Sequence, residues 1–178
     1  RQLENRGRQV TVVDFVAEPF TEDKLRIYLE SVDVVGITIT SQIASSAVKL
    51  VNFIKRTAPD VLVIIGGPHC TLQGKQALQE INADISVVGD GEHTIGEILD
   101  VFEKKKTLAE VHGIFYRDRK EIKSGLLGYE IENLDEIDFP SRHLVSKYSY
   151  GKRQIAGVTF FAKGKITSMV TTSMCHSH

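Results

Sequence analysis

A chain of 178 residues, 42% hydrophobic and 25% charged, has enough apolar sequence to bury a core and too much to remain disordered. Its 22 Lys and Arg against 23 Asp and Glu leave a net charge of -1, which excludes the broad positive field that gathers nucleic acid or anionic lipid. No apolar run approaches the roughly 20 residues of a membrane-spanning helix.

In chain order, Leu3 to Gly7 reads as the tail of a helix, which in an alternating α/β fold follows a strand. The chain opens at Arg1 without a methionine and is expected to be a piece of a longer protein. If an inner strand is absent, another segment or a swapped copy should fill its slot, because a buried strand edge cannot stay unpaired.

Val10 to Phe15, Val32 to Thr40, Val61 to Ile65 and Ile85 to Val88 are apolar, largely β-branched runs, the pattern of parallel strands buried on both faces. Between them, Thr21 to Glu30, Ala44 to Thr57 and Gln73 to Ile81 carry apolar residues at helical spacing, and Gly91 to Phe102 opens a fourth such helix. In the second of these, Val48, Val51 and Ile54 form the apolar stripe while Lys49, Asn52, Lys55 and Arg56 are expected to face outward, and Pro59 stops it. The run Lys104-Lys105-Lys106 is expected to close a solvated helix end rather than grip phosphates.

After Phe102 the rhythm changes. Gly113 to Arg117 and Glu121 to Lys123, joined through Asp118 to Lys120, predict a β-hairpin. Leu126 to Arg142 is acidic and irregular and reads as a connector, and Gly157 to Phe161 and Lys165 to Thr171 predict two further strands. The fold class is therefore α/β, a doubly wound, mostly parallel, Rossmann-like (flavodoxin-like) sheet with a C-terminal hairpin and connector.

In such sheets ligands bind outside the carboxyl ends of the strands, and three of those ends are distinctive. Thr38, Thr40 and Ser41 place hydroxyls where a strand passes into a helix, either as helix caps or as ligand contacts. Gly66 and Gly67 precede Pro68, His69 and Cys70; a glycine pair lets backbone approach a ligand or simply makes a tight turn. His69 reads as a loop histidine or a metal ligand, with no second ligand at chelating spacing beside it. Gly89, Asp90, Gly91 and Glu92 follow the next strand, and the acids either cap the helix they open or border a groove. No Walker loop, complete G-x-G-x-x-G or nucleophile constellation is present.

The strings DVVGITIT from Asp33, VLVIIGGPHCT from Val61 and VVGDGEHT from Val87 resemble, in wording, order and spacing, the cobalamin-binding domain of radical SAM enzymes. The resemblance is to the group that contains the anaerobic magnesium-protoporphyrin monomethyl ester cyclases and the cobalamin-dependent radical SAM methyltransferases. It implies a cobalamin-binding domain over residues 1–110 with its first strand missing, a hairpin and connector over 111–150, and the start of a truncated radical SAM domain over 151–178. It further implies that Thr38, Thr40 and Ser41 meet the nucleotide tail or corrin amides, that Gly66 and Gly67, beside Pro68 and His69, leave room for the tail, and that Gly89, Asp90, Gly91 and Glu92 edge the corrin.

The family follows its connector with Cys-x-x-x-Cys-x-x-Cys, whose thiolates hold a 4Fe-4S cluster beside S-adenosylmethionine. Cys175 near the end of TTSMCHSH matches the first of those cysteines, although Met174 stands where the family has an Arg-Gly pair; a free terminal cysteine is the alternative. The D-x-H-x-x-G loop that supplies a cobalt ligand in many cobalamin domains does not occur in this chain, which leaves the lower axial ligand open. The resemblance implies methyl transfer or oxidative cyclisation on a small-molecule substrate in the full-length enzyme, with no catalysis by this piece alone.

Two rivals are a receiver-type signalling module, for which Asp14 is a poor stand-in for an acidic cluster, and a Rossmann-like binding module that has lost cobalamin. Only Cys70 and Cys175 occur, too few for a disulfide framework. With no secretory leader, the cytoplasm is the expected location, with neither nucleic acid nor membrane as a partner.

Overall fold

The computed structural model describes residues 1–128, 135 and 137–148. They fall into two units: Arg1–Gln9 with Thr21–Pro140, and Val10–Phe20 with the chain from Ser141 onward. Cys175 and the strands expected over 157–161 and 165–171 lie outside the described residues.

The first unit contains α1 (Gln2–Asn5), α2 (Glu22–Leu29), β1 (Val34–Thr38), α3 (Ala44–Thr57), β2 (Leu62–Gly66), α4 (Pro68–Gln73), α5 (Lys75–Glu80), β3 (Ile85–Val87), α6 (Gly91–Phe102), β4 (Ile114–Asp118) and β5 (Glu121–Ser124). The five strands form one sheet in the order β1-β2-β3-β4-β5. The first three pair in parallel, with Val34 opposite Leu62 and Ile64 opposite Ile85. β4 then runs antiparallel to β3 and β5 antiparallel to β4, so four of the five strands point the same way. The hairpin is thus a continuation of the sheet: Phe115 pairs with Ser86 on one side and with Ser124 on the other.

Alternation along the strands splits the core into two layers. Val63 and Ile65 of β2 bury one face against Val51 and Ile54 of α3 and Ala77 and Leu78 of α5, while Ile64 of the same strand joins Ile85, Val87 and Ile98 of α6 on the other. Thr21 starts α2 by accepting the Lys24 N–H on its Oγ1 at 3.3 Å. Arg117, half-buried on β4, closes the far end of α5 by donating to the carbonyls of Leu78, Ile81 and Ala83. On α6, Glu97 accepts the His112 N–H at 2.8 Å and the Lys106 ammonium at 2.6 Å, and Lys105 pairs with Glu103 at 2.6 Å. Two of the three consecutive lysines are therefore tied to glutamates around the end of that helix. Among the described residues no helix is long and apolar enough to cross a membrane.

Two expectations are corrected. Val10 to Phe15 is not a strand. β-Branched residues favour a ladder only where a partner strand accepts their backbone; here the Asp14 carboxylate accepts the Val16 N–H at 2.8 Å and its carbonyl accepts those of Ala17 and Glu18, turning the chain. Within that second unit the Tyr148 hydroxyl accepts the Asp14 N–H at 3.0 Å and donates to the Glu18 carboxylate, and Phe15 packs edge-on against Phe20 at 5.0 Å. Asp14, on which a receiver-type reading depends, consequently ends no strand.

The helix expected over Gln73 to Ile81 is two helices. It begins earlier, because Pro68 sits at the first helical position, where its fixed φ and missing N–H cost nothing. It breaks at Gly74, whose φ of 54° and ψ of -120° no helix continues.

Candidate functional site

Parallel strands joined by helices carry their carboxyl ends to one rim, and here backbone hydrogen bonds and one side-chain hydroxyl tie three successive turns together. Thr38 and Gly66 are register partners at the ends of β1 and β2. Beyond them the Ile39 N–H donates to the Gly66 carbonyl at 2.8 Å, and the Ile39 carbonyl accepts the His69 N–H at 3.0 Å. The turn after β1 is thus laced to the turn after β2.

This close crossing explains Gly67. Its φ of 93° and ψ of -174° lie in a region open essentially to glycine alone. A Cβ there would stand 2.9 Å from Thr38 Cγ2 and 3.0 Å from the Ile39 carbonyl oxygen. The missing side chain therefore admits the neighbouring backbone. Gly66 differs: a Cβ on it would make ordinary contact with Val87 at 3.6 Å.

Thr71 joins the second turn to the third. Its hydroxyl donates to the Gly67 carbonyl at 3.3 Å and accepts the Gly89 N–H at 3.1 Å, while the Val88 N–H donates to the Gly113 carbonyl at 2.8 Å. Thr71→Val is expected to cost about 1 kcal/mol in urea unfolding and Thr71→Ser almost nothing, since only the hydroxyl spans the two turns; equal losses in the two variants would show that the methyl matters instead.

The structure brings Thr38, Thr40, Ser41, Gly66, Gly67, Pro68, His69, Gly89, Asp90, Gly91 and Glu92 to these three turns at the ends of β1, β2 and β3. Thr38, Thr40, Ser41, Pro68, Gly89 and Glu92 are exposed, and among the described residues a Cβ on Gly36 or Gly89 would meet nothing within 4 Å. Asp90 is the N-cap of α6 without a side-chain capping bond, and Thr40 likewise caps nothing with its side chain. Asp90 still holds the N-cap position and Glu92 lies in the first turn of α6, so both acids also suit the positive end of that helix.

His69 sits below the exposed hydroxyls, with 6% of its surface accessible. Its Nδ1 lies 3.2 Å from Ser41 Oγ. Its Nε2 is buried without a hydrogen-bond partner, 3.6 Å from a Glu80 carboxylate oxygen. Beside it, burial pushes the Cys70 thiol above its ordinary pKa and the neighbouring Ser86 hydroxyl lowers it by less, so the thiol stays neutral at physiological pH.

Two participants carried no sequence signal: Glu80, which meets His69 only through folding, and Ile39, which acts through its backbone. Thr71 was visible only as the last residue of a glycine-led turn. A shallow hollow of about 230 Å³ lined by Arg26, Leu29, Glu30, Thr57 and Ala58 lies by the C-terminal ends of α2 and α3, away from the rim.

The rim offers the exposed hydroxyls of Thr38, Thr40 and Ser41 and an open approach over Gly89, with the His69 imidazole buried behind Ser41. Exposed hydroxyls can donate to or accept from a polar ligand laid along the strand ends. Among the described residues no group of three His, Cys, Asp or Glu side chains could chelate a metal.

A family model described as the B12 binding domain matches residues 1–99. An uncharacterized methyltransferase from Pyrococcus horikoshii is 29% identical over 144 residues, covering 79% of this chain and 31% of that protein. The anaerobic magnesium-protoporphyrin IX monomethyl ester cyclase of Cereibacter sphaeroides is 27% identical over 132 residues, covering 71% of this chain and 21% of the cyclase. Among solved structures, the apo form of OxsB, a cobalamin-dependent S-adenosylmethionine radical enzyme, superimposes with a TM-score of 0.68 at 19% identity over 83% of this chain and 21% of OxsB. The last likeness is one of fold. The chain spans a third or less of the length of these proteins.

Proposed function

This chain belongs to the B12-binding domain family, and we propose that it seats cobalamin across the carboxyl ends of β1, β2 and β3 within a larger radical S-adenosylmethionine enzyme. The observation that carries this reading is the continuous hydrogen-bonded rim, in which Ile39 ties the first turn to the second and Thr71 ties the second to the third.

Cobalamin, when bound, carries a methyl group or assists an oxidative step. The chain's own task is to bind and orient it. Thr38, Thr40 and Ser41 offer hydroxyls to the nucleotide tail or the corrin amides. Gly66, Gly67, Pro68 and His69 form the turn along which the tail passes. Gly89, Asp90, Gly91 and Glu92, at the start of α6, would edge the corrin.

On this reading residues 1–110 are the cobalamin domain, 111–150 the hairpin and connector, and 151–178 the entry to the radical SAM domain, where Cys175 is the first ligand of a 4Fe-4S cluster. The whole enzyme then uses S-adenosylmethionine and a small-molecule substrate for methyl transfer or oxidative cyclisation, in the cytoplasm.

Full-length protein incubated with hydroxocobalamin and desalted is expected to retain about one equivalent of corrinoid with a shifted visible spectrum. Protein that elutes free of corrinoid would overturn the assignment and favour a Rossmann-like module without cobalamin.

A further inference from the structure

We propose that His69 is a positioning residue that draws the Ser41 hydroxyl proton inward, so that Ser41 presents the cobalamin with a hydrogen-bond acceptor; this rests on the cobalamin reading above. The observation is a three-part line of groups, Ser41 Oγ to His69 Nδ1 at 3.2 Å and His69 Nε2 to Glu80 at 3.6 Å, with the imidazole 6% exposed.

The polarity follows from the donors and acceptors available. A carboxylate only accepts, and a neutral imidazole carries its proton on one nitrogen. Glu80 is the charged group nearest Nε2, so the tautomer with the proton on Nε2 is the favoured one. Nδ1 is then an acceptor, and among the described residues the hydrogen that meets it is the Ser41 O–H. With its proton so committed, the exposed Ser41 oxygen keeps its lone pairs for the ligand. The matching ligand group is an N–H or O–H donor, such as a corrin carboxamide or a ribose hydroxyl, and not a phosphate oxygen or a bare ring nitrogen.

The same geometry separates His69 from a cobalt ligand. Its two ring nitrogens are turned to Ser41 and Glu80, and the ring lies beneath the hydroxyls that face the ligand. At 3.6 Å the Glu80 carboxylate is too far for a hydrogen bond and acts on Nε2 through its charge, which favours the tautomer protonated there.

The test is a double-mutant cycle on full-length protein, with the affinity for hydroxocobalamin read by spectral titration. Ser41→Ala and His69→Ala are each expected to weaken binding about 10-fold, and the double variant also about 10-fold rather than 100-fold, because both remove one oriented hydroxyl. His69→Asn, whose amide reaches the Nδ1 position, is expected to lie within about 3-fold of wild type. In wild-type protein without corrinoid, a long-range proton–nitrogen NMR spectrum is expected to show His69 protonated on Nε2; this holds even if a variant fails to fold. Additive losses in a wild type that binds, or the reverse tautomer, overturn this proposal alone. A wild type that retains no corrinoid overturns the cobalamin reading and this proposal with it.

Discussion

Replacing Gly67 by alanine is expected to lower the unfolding free energy by about 4 kcal/mol. Two effects add. The backbone at φ 93° and ψ -174° is strained for any residue with a Cβ. That Cβ would also press on Thr38 Cγ2 at 2.9 Å and on the Ile39 carbonyl at 3.0 Å, and the backbone there cannot retreat without breaking the Ile39 hydrogen bonds to Gly66 and His69. Gly36→Ala is the control. It adds the same methyl to β1 at ordinary dihedrals with nothing within 4 Å, and its effect should stay within about 0.5 kcal/mol. Urea unfolding of both variants decides the matter: similar midpoints would mean that the rim can open around a methyl group and that Gly67 serves some other purpose.

Removing the charge of Glu97 is expected to cost about 3 kcal/mol near neutral pH, with the loss confined to conditions where the carboxylate is ionised. Burial alone would raise this carboxyl, but the His112 backbone N–H, the Lys106 ammonium and the His112 ring outweigh it and hold it down to about 2, against an ordinary 4.5. A depressed folded-state pKa stabilises the fold above the unfolded value. The contribution is complete above about pH 4.5 and is lost as the pH falls through that value toward 2. The difference in unfolding free energy between wild type and Glu97→Gln should therefore be flat near neutrality and shrink across that window. A difference that persists unchanged to pH 2 would mean that the side chain acts by shape rather than charge.

Much of the layered architecture was legible because its cause is local. Val61 to Ile65 is a buried strand from its own composition, and the stripe of Val48, Val51 and Ile54 places α3 on the sheet whatever surrounds it. The position of the rim followed as well, since ligands gather where parallel strands end. Gln73 to Ile81 was legible as helical, but the break at Gly74 was not, because an isolated glycine in an apolar pattern is compatible with either a helix or its interruption. Val10 to Phe15 had the composition of a strand, but among the described residues its backbone meets the Tyr148 hydroxyl and a turn made by Asp14, partners that no feature of the run itself records.

The candidate site divides in the same way. The hydroxyls and glycines at the strand ends stand out as residue types, whereas the roles of His69 and Glu97 do not. Glu97 looks like any helix glutamate until His112, 15 residues later, turns its N–H toward it. His69 looks like a loop histidine until α4 buries it beside Ser41, 28 residues earlier.

What the sequence determined by itself is which segments run as strands between helices and which end of the sheet carries glycines and hydroxyls, because periodicity and backbone preference act over a few neighbouring residues. What only the tertiary structure decided is that the hairpin extends the sheet along β3, that Gly67 makes room for the chain's own backbone, and that an imidazole stands behind the rim hydroxyls. Each of these depends on groups far apart in the chain competing for the same hydrogen bond or the same few ångströms of space, and that competition is resolved only when the sheet is assembled.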